Sequence, residues 1–127
     1  MKICIDKILS NSPHAIVTFT AEFGKSKACW SGETPKENCE YHVEVDIQEG
    51  LEWGKDIVEN DEKNYSINFK DDTVYIAGVL ESVDNDGYSV LRRGDYIIPF
   101  MAIGDKFATN TFILLAIKTI YLSPFHY

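Results

Sequence analysis

The clearest alternation of apolar and polar residues in the chain runs over residues 40–48. Every second residue there is Tyr, Val or Ile, and the residues between them are Glu, His, Asp and Gln. Because successive side chains of a strand point to opposite faces, this pattern predicts a strand with one buried face and one acidic, solvent-facing face. The same two-residue period predicts further strands over residues 2–8, 15–23 and 65–69.

Residues 73–103 predict three consecutive strands joined by tight turns. The Asp-Asn-Asp-Gly sequence at residues 84–87 predicts a hairpin, because these residues tolerate positive φ. Arg93-Gly94-Asp95 predicts the second turn. Gly78 lies inside the first strand and predicts a bulge or a bend. Pro99 lies inside the third, where a residue without an N–H predicts an edge or a bulge.

The remaining segments have weaker patterns. Residues 24–38 lose the alternation and contain Gly and Pro, which predicts a long loop. Residues 49–60 follow no clean period, and their two glycines leave room for a short helical turn at most. Residues 111–122 predict a long central strand, with a helix as the competing interpretation. Residues 1–127 are therefore expected to form a single all-β domain of about eight strands. We expect a small antiparallel barrel or sandwich, with an OB-like barrel as one form.

Charge and composition narrow the choice of partners and of compartment. The chain has 127 residues, a formal net charge of −8 and a pI near 4.7, which disfavours direct binding to nucleic acid or to an anionic membrane. Its longest apolar run, residues 112–117, is far shorter than the roughly 20 residues of a membrane helix. No secretory signal is expected, because Asp6 interrupts the start of the chain. Cys29 and Cys39 flank the predicted loop, and a bridge between them is the alternative to free thiols in a reducing cytoplasm.

The sequence contains no recognisable catalytic or metal-binding motif. The histidines, His14, His42 and His126, have no Ser, Cys or carboxylate at the spacing of a triad. Residues 84–87 superficially resemble the start of a calcium loop, but strand alternation follows them where a flanking helix is required. We therefore expect a protein that is not an enzyme and that carries no metal or cofactor.

Acidic residues are concentrated in one segment. Between Glu37 and Glu62 there are ten acids against a single Lys55, which gives that segment a formal charge of −9. Either this is an ordinary solvated face, or it is a docking surface for a basic partner, since a dense charge steers encounter. Trp53 lies in the segment, and tryptophan is a frequent interface anchor. The predicted partner-binding residues are Glu44, Asp46, Glu49, Glu52, Trp53, Asp56 and Glu59.

One stretch carries a family resemblance. Residues 74–100 contain the pattern V-x-I-x-G-V-L-E-S-V-D-x-D-G-Y-x-V-L-R-x-G-D-x-I-I, which resembles small bacterial β proteins of OB-like form. As an acidic single-domain chain of this size, the protein also resembles the immunity proteins of bacterial toxin–immunity systems. The resemblance implies a non-enzymatic inhibitor that covers the active site of a cognate basic toxin, in many cases a nuclease. Immunity proteins share no catalytic motif, so the resemblance assigns no site residues.

A module that binds a small ligand or a peptide is the competing interpretation. Its binding site would be the mouth of a barrel lined by Trp30, Tyr88 and Tyr96. A deep apolar pocket would favour this interpretation, and a filled barrel would count against it. The docking interpretation requires that Glu44 and Asp46 be exposed, and it fails if they are buried.

Overall fold

The computed structural model describes residues 1–11 and 13–125, and the prediction for His126 lies outside these residues. The described part is built from strands and turns, and it contains no helix long and apolar enough to cross a bilayer. Its strands are β1 (Lys2–Ser10), β2 (Ala15–Ala21), β3 (Gly24–Trp30), β4 (Glu40–Asp46), β5 (Gly50–Glu52), β6 (Ile57–Glu59), β7 (Ser66–Lys70), β8 (Thr73–Val83), β9 (Tyr88–Arg93), β10 (Tyr96–Ile103), β11 (Phe112–Ile117) and β12 (Tyr121–Pro124).

Five of the strands close into a barrel. Strand β1 pairs antiparallel with β2 and with β4, and β2 pairs antiparallel with β3. Strand β12 completes the circle, because it pairs antiparallel with β4 and parallel with β3. Closure leaves these strands without a free edge along the paired segments. The all-β barrel predicted from the sequence is therefore confirmed, and a closed five-stranded barrel fits the OB-like form.

The other strands are arranged around β8. This strand pairs with β7 and then β9 on one side, and with β11 on the other. Strand β9 continues to β10 and β5, while β11 continues to β6. A parallel bridge between Trp53 and Ile57 joins the ends of β5 and β6, so these strands form a second ring of paired neighbours. The two parts meet where β3 pairs with β7, at Gly24 and Ile67.

The chain has more strands than the alternation predicted, twelve in the described residues instead of about eight. The long loop predicted for residues 24–38 is wrong, because it begins with β3. That strand escapes detection because its buried face consists of Ser26, Ala28 and Trp30, of which only one is a large apolar residue. Residues 49–60 hold the short strands β5 and β6, and between them lies a single helical turn, in which the N–H of Asp56 donates to the carbonyl of Glu52 at 2.9 Å.

The last predicted strand is also wrong in its length. Residues 118–120 separate β11 from β12, so a continuous strand over residues 111–122 does not exist. The central position predicted for its apolar part is confirmed, since β11 lies between β6 and β8. Its buried residues are Ile113, Leu115 and Ile117.

The turn and glycine predictions describe the meander from β8 to β10 well. The hairpin at residues 84–87 is confirmed, with Gly87 at a φ of 94°. A Cβ added at Gly78 would lie 2.5 Å from the carbonyl oxygen of Arg92, so the close approach of β8 to β9 requires glycine. The bulge itself lies slightly further on, between Leu80 and Ser82. Pro99 pairs with β9, at a position where β5 does not pair on the other side of β10.

Candidate functional site

The acidic face predicted for β4 is present in the structure. Glu44 and Asp46 are exposed, and they alternate with Val43 and Val45, which are buried. Asp46 accepts a hydrogen bond from the side chain of Gln48 at 3.0 Å. Both carboxylates are therefore held on a rigid strand and face solvent, as the docking interpretation requires.

Two of the predicted docking acids have structural roles. Glu49 is half-buried, and its Oε1 accepts hydrogen bonds from the backbone N–H groups of Lys118 at 2.9 Å and Thr119 at 3.1 Å. It therefore holds the connection between β11 and β12. Asp56 is also half-buried, and its Oδ2 accepts the N–H of Glu52 at 3.0 Å, which closes the turn between β5 and β6.

The expectation that Trp53 anchors a partner from the surface is wrong. Trp53 is only 8 % exposed and belongs to the hydrophobic core. Its ring packs against Phe100 and Phe107, at centroid distances of 6.2 Å and 5.0 Å. The segment around it lacks a clean period because β5 and β6 have three residues each, so the alternation ends before it can be recognised.

Four of the acids predicted to bind a partner are exposed and form no ion pair within the described residues. The ion pairs there are Lys2 with Glu40 at 3.1 Å and Arg92 with Glu81 at 3.5 Å. These four acids take part in neither. We call them the acidic set: Glu44, Asp46, Glu52 and Glu59.

A second surface feature was not predicted from the sequence. On the outer face of the β9–β10 hairpin, Ile97 is 52 % exposed, Met101 45 % and Ile103 65 %. Tyr88 pairs with Met101 across the two strands and is 46 % exposed. The sequence contained the signal, because β10 is apolar at almost every position although one of its faces is solvated. We call this face the apolar stripe, and its members are Tyr88, Val90, Ile97, Pro99, Met101 and Ile103.

A cavity of about 690 Å³ lies between the start of β1, the β2–β3 turn, β4 and the β9–β10 turn. Arg93 lines it and is only 3 % exposed, which is unusual for a charged residue. Its guanidinium lies over the ring of Phe23 at 5.4 Å, and Nη1 lies 3.0 Å from the Met1 sulfur. Its Nε and Nη2 have no hydrogen-bond partner among the described residues. Burial lowers the pKa of Arg93 below its ordinary value, against the opposing effects of Tyr96 and Glu22.

Tyr96 is next to Arg93 in the same cavity and joins β10 to β4. Its hydroxyl accepts a hydrogen bond from the N–H of Val45 at 2.9 Å and donates one to the carbonyl of Val43 at 3.1 Å. Burial raises the pKa of Tyr96, and Glu44 raises it further, while the hydrogen bond from Val45 opposes the rise. The neutral hydroxyl therefore links β10 to β4 through two hydrogen bonds.

The barrel mouth predicted from three aromatic residues does not form. Trp30 is 2 % exposed, and its Nε1 donates to the carbonyl of Glu33 at 2.8 Å. Tyr88 and Tyr96 begin β9 and β10, so the antiparallel hairpin places them at opposite ends. Of the three, only Tyr96 lines the large cavity.

The histidines and cysteines of the described residues form no site. His14 and His42 are exposed. Cys4, Cys29 and Cys39 are free, so the alternative bridge does not form. Within residues 1–11 and 13–125, no three His, Cys, Asp or Glu side chains come together as metal ligands would.

Comparisons with protein-family models, with curated protein sequences and with solved structures found no significant match for this chain.

Proposed function

We propose that this chain is a non-enzymatic inhibitor that binds and neutralises a basic protein toxin, with a nuclease as the favoured class of toxin. The observation that carries the proposal is the acidic set, which is exposed, lies on strands and takes part in no ion pair of residues 1–11 and 13–125. Such an inhibitor would work in a cytoplasm that the toxin threatens. It would use no cofactor, and it would bind neither nucleic acid nor membrane itself.

The physical basis of the proposal is long-range attraction. A net charge of −8 with a local excess around Glu44 and Asp46 produces a negative potential that raises the encounter rate with a cationic protein. Nuclease toxins are expected to carry a cationic site, because phosphate binding depends on Lys and Arg. An acidic surface presented to that site would cover it and exclude the nucleic acid. Steering of this kind acts mainly on the association rate and is weakened by salt.

The proposal predicts that a reading frame next to this chain's own encodes a basic protein, and the test uses that protein; the absence of such a reading frame would count against the proposal. Co-expression is expected to protect cells from that protein and to yield a complex of defined stoichiometry. The triple variant Glu44→Lys, Asp46→Lys, Glu52→Lys is then expected to slow association by about tenfold or more at low salt. Circular dichroism should show that its fold is unchanged, since all three side chains are exposed.

A matched control separates local steering from net charge. Glu33→Lys makes the same charge change at an exposed residue outside the acidic segment, and it should slow association much less than Glu44→Lys does. Equal effects of the two single variants would show that only the net charge of the protein, and not the position of the acidic set, controls association. An association rate that the triple variant leaves unchanged at low salt, or a neighbour that forms no complex, contradicts the proposal.

Binding of a small anionic ligand is the second candidate function, and one observation favours it. Arg93 lines a cavity of about 690 Å³, and its buried Nε and Nη2 have no hydrogen-bond partner among the described residues. The planar fork of a guanidinium suits a carboxylate or a phosphate, which accepts two parallel hydrogen bonds. Because Nε and Nη2 are buried and Nη1 contacts the Met1 sulfur, a ligand would have to displace the side chains that cover the guanidinium.

Thermal unfolding with millimolar inorganic phosphate or acetate tests this second candidate. A ligand that binds only the folded state raises the unfolding temperature. The rise should occur in the unmodified chain and disappear in Arg93→Met. No rise, or an equal rise in both proteins, contradicts the candidate.

A further inference from the structure

The apolar stripe is a continuous surface and not a scatter of exposed residues. Across the β9–β10 ladder Tyr88 lies opposite Met101, and Val90 lies opposite Pro99. Directly opposite residues of an antiparallel pair share a face, with their side chains about 5 Å apart. Ile97 and Ile103 extend the same face toward the two ends of β10, and Arg92, which is paired with Glu81, lies opposite Ile97 at its margin. Single exposed apolar residues are normal on a protein, whereas contiguous apolar patches mark interaction sites.

The stripe borders the acidic set at one end of β10. There, Ile103 pairs in register with Glu52 on β5. The N–H of Trp53 donates to the carbonyl of Ile103 at 3.0 Å and fixes this junction. An apolar centre next to charged residues has the composition of a protein interface, with a dry core and a polar rim.

The charge of the chain identifies the occupant. A second copy would bring together two chains with a net charge of −8 each at a face that includes Glu52, and the one arginine of that face, Arg92, is already paired with Glu81, so repulsion opposes self-association. A cationic partner gains attraction at the rim and apolar burial at the centre. This argument rests on the proposed function and adds to it the part of the surface that carries affinity.

We infer that the apolar stripe is the anchoring centre of the docking surface, and that its occupant is a basic protein that presents apolar side chains within a cationic rim. The acidic set determines how fast the partner arrives, and the stripe determines how long it stays. Burial of apolar side chains is short-range and salt-insensitive, so it acts on dissociation.

The experiment compares two variants against the basic protein of the neighbouring reading frame. The stripe variant Ile97→Thr, Met101→Gln, Ile103→Thr removes apolar surface, and threonine keeps the β-branched shape that strands favour. Surface plasmon resonance should show dissociation accelerated by about thirtyfold or more, with the association rate within roughly threefold. Leu9→Thr is the matched control, because Leu9 is 53 % exposed but lies on β1, and its kinetics should not change.

The outcomes separate this inference from the proposed function. The inference is overturned, and the proposed function stands, if the charge-reversed triple variant associates slowly while the stripe variant dissociates at the unchanged rate. Faster dissociation of the stripe variant with unaltered association of the charge-reversed triple supports the stripe and removes the steering role. Sedimentation of the free protein is the last measurement. A dimer that the stripe variant abolishes would assign the face to a second copy and overturn the inference.

Discussion

Replacing Arg93 by methionine is expected to stabilise the protein. In the folded state Arg93 is 3 % exposed, and its Nε and Nη2 have no hydrogen-bond partner among the described residues. Leaving a buried donor unsatisfied costs about 1–3 kcal/mol, so the two nitrogens together cost roughly 2–6 kcal/mol. Methionine has a similar length, fills irregular space easily and has no donor to satisfy.

The favourable contacts of Arg93 are smaller than this penalty. The cation–π contact with Phe23, at 5.4 Å, contributes about 1–2 kcal/mol. The Nη1 contact with the Met1 sulfur involves a weak acceptor. The difference predicts that Arg93→Met raises the free energy of unfolding by about 1–3 kcal/mol, in line with replacements of other buried charges by apolar residues.

Urea unfolding followed by tryptophan fluorescence measures the effect, because Trp30 and Trp53 are both buried. With a slope of about 1–3 kcal/mol per molar urea, the midpoint should rise by roughly 1 M. Arg92→Met is the control, since Arg92 is the adjacent arginine, is partly exposed and pairs with Glu81. It should change stability by less than about 1 kcal/mol. Destabilisation of Arg93→Met by more than 1 kcal/mol would refute the reasoning and show that the guanidinium is satisfied in solution.

Three further predictions concern the framework of the site. Glu49→Ala should lower the free energy of unfolding by about 1.5–3 kcal/mol, because two backbone N–H groups lose a charged acceptor. Glu49→Gln should recover part of that loss. Equal stability of all three proteins in urea would contradict this role of Glu49. Gly78→Ala should cost about 1–3 kcal/mol, because the new methyl group meets a carbonyl 2.5 Å away, and an unchanged melting temperature would argue against that contact. The raised pKa of Tyr96 means that its contribution to stability is complete below about pH 10 and is lost as the pH rises through its folded value. Stability above pH 10 should therefore fall less steeply in Tyr96→Phe, as measured by urea unfolding across pH, and identical pH profiles would contradict the assignment.

The sequence predicts the fold wherever one face of a strand is apolar and the other is polar. Strand β4 and the hairpin at residues 84–87 satisfy this condition, and both are confirmed. Strand β3 does not, because a small polar side chain, Ser26, takes one of its buried positions. Strands β5 and β6 are too short for any period to be measured. These strands were missed because the sequence has no clear apolar–polar alternation there. The pairings that close the two rings join strands that are distant in sequence, so no local pattern predicts them.

The candidate site was predicted in part, for a related reason. Exposure of Glu44 and Asp46 follows from strand alternation, which is a local property. The backbone contacts of Glu49 are made about seventy positions away along the chain, so no local pattern could separate this acid from a free one. The burial of Trp53 likewise depends on Phe100 and Phe107, which are remote in sequence. Charge density identifies a region, and only the tertiary contacts identify which of its acids are free to bind.

The β9–β10 hairpin departs from the usual distribution of polarity on both of its faces. Its inner face buries Arg93 and Ser89, while its outer face exposes Ile97, Met101 and Ile103. Folding alone favours the opposite arrangement, since buried charges and exposed apolar surface both lower stability or solubility. Places where a sequence breaks this rule without an evident compensating gain are expected to be functional or strained. Tyr96 of the same hairpin lines the cavity, and β10 pairs with the strand of Glu52, so substitutions on the two faces of the hairpin test the two candidate functions separately.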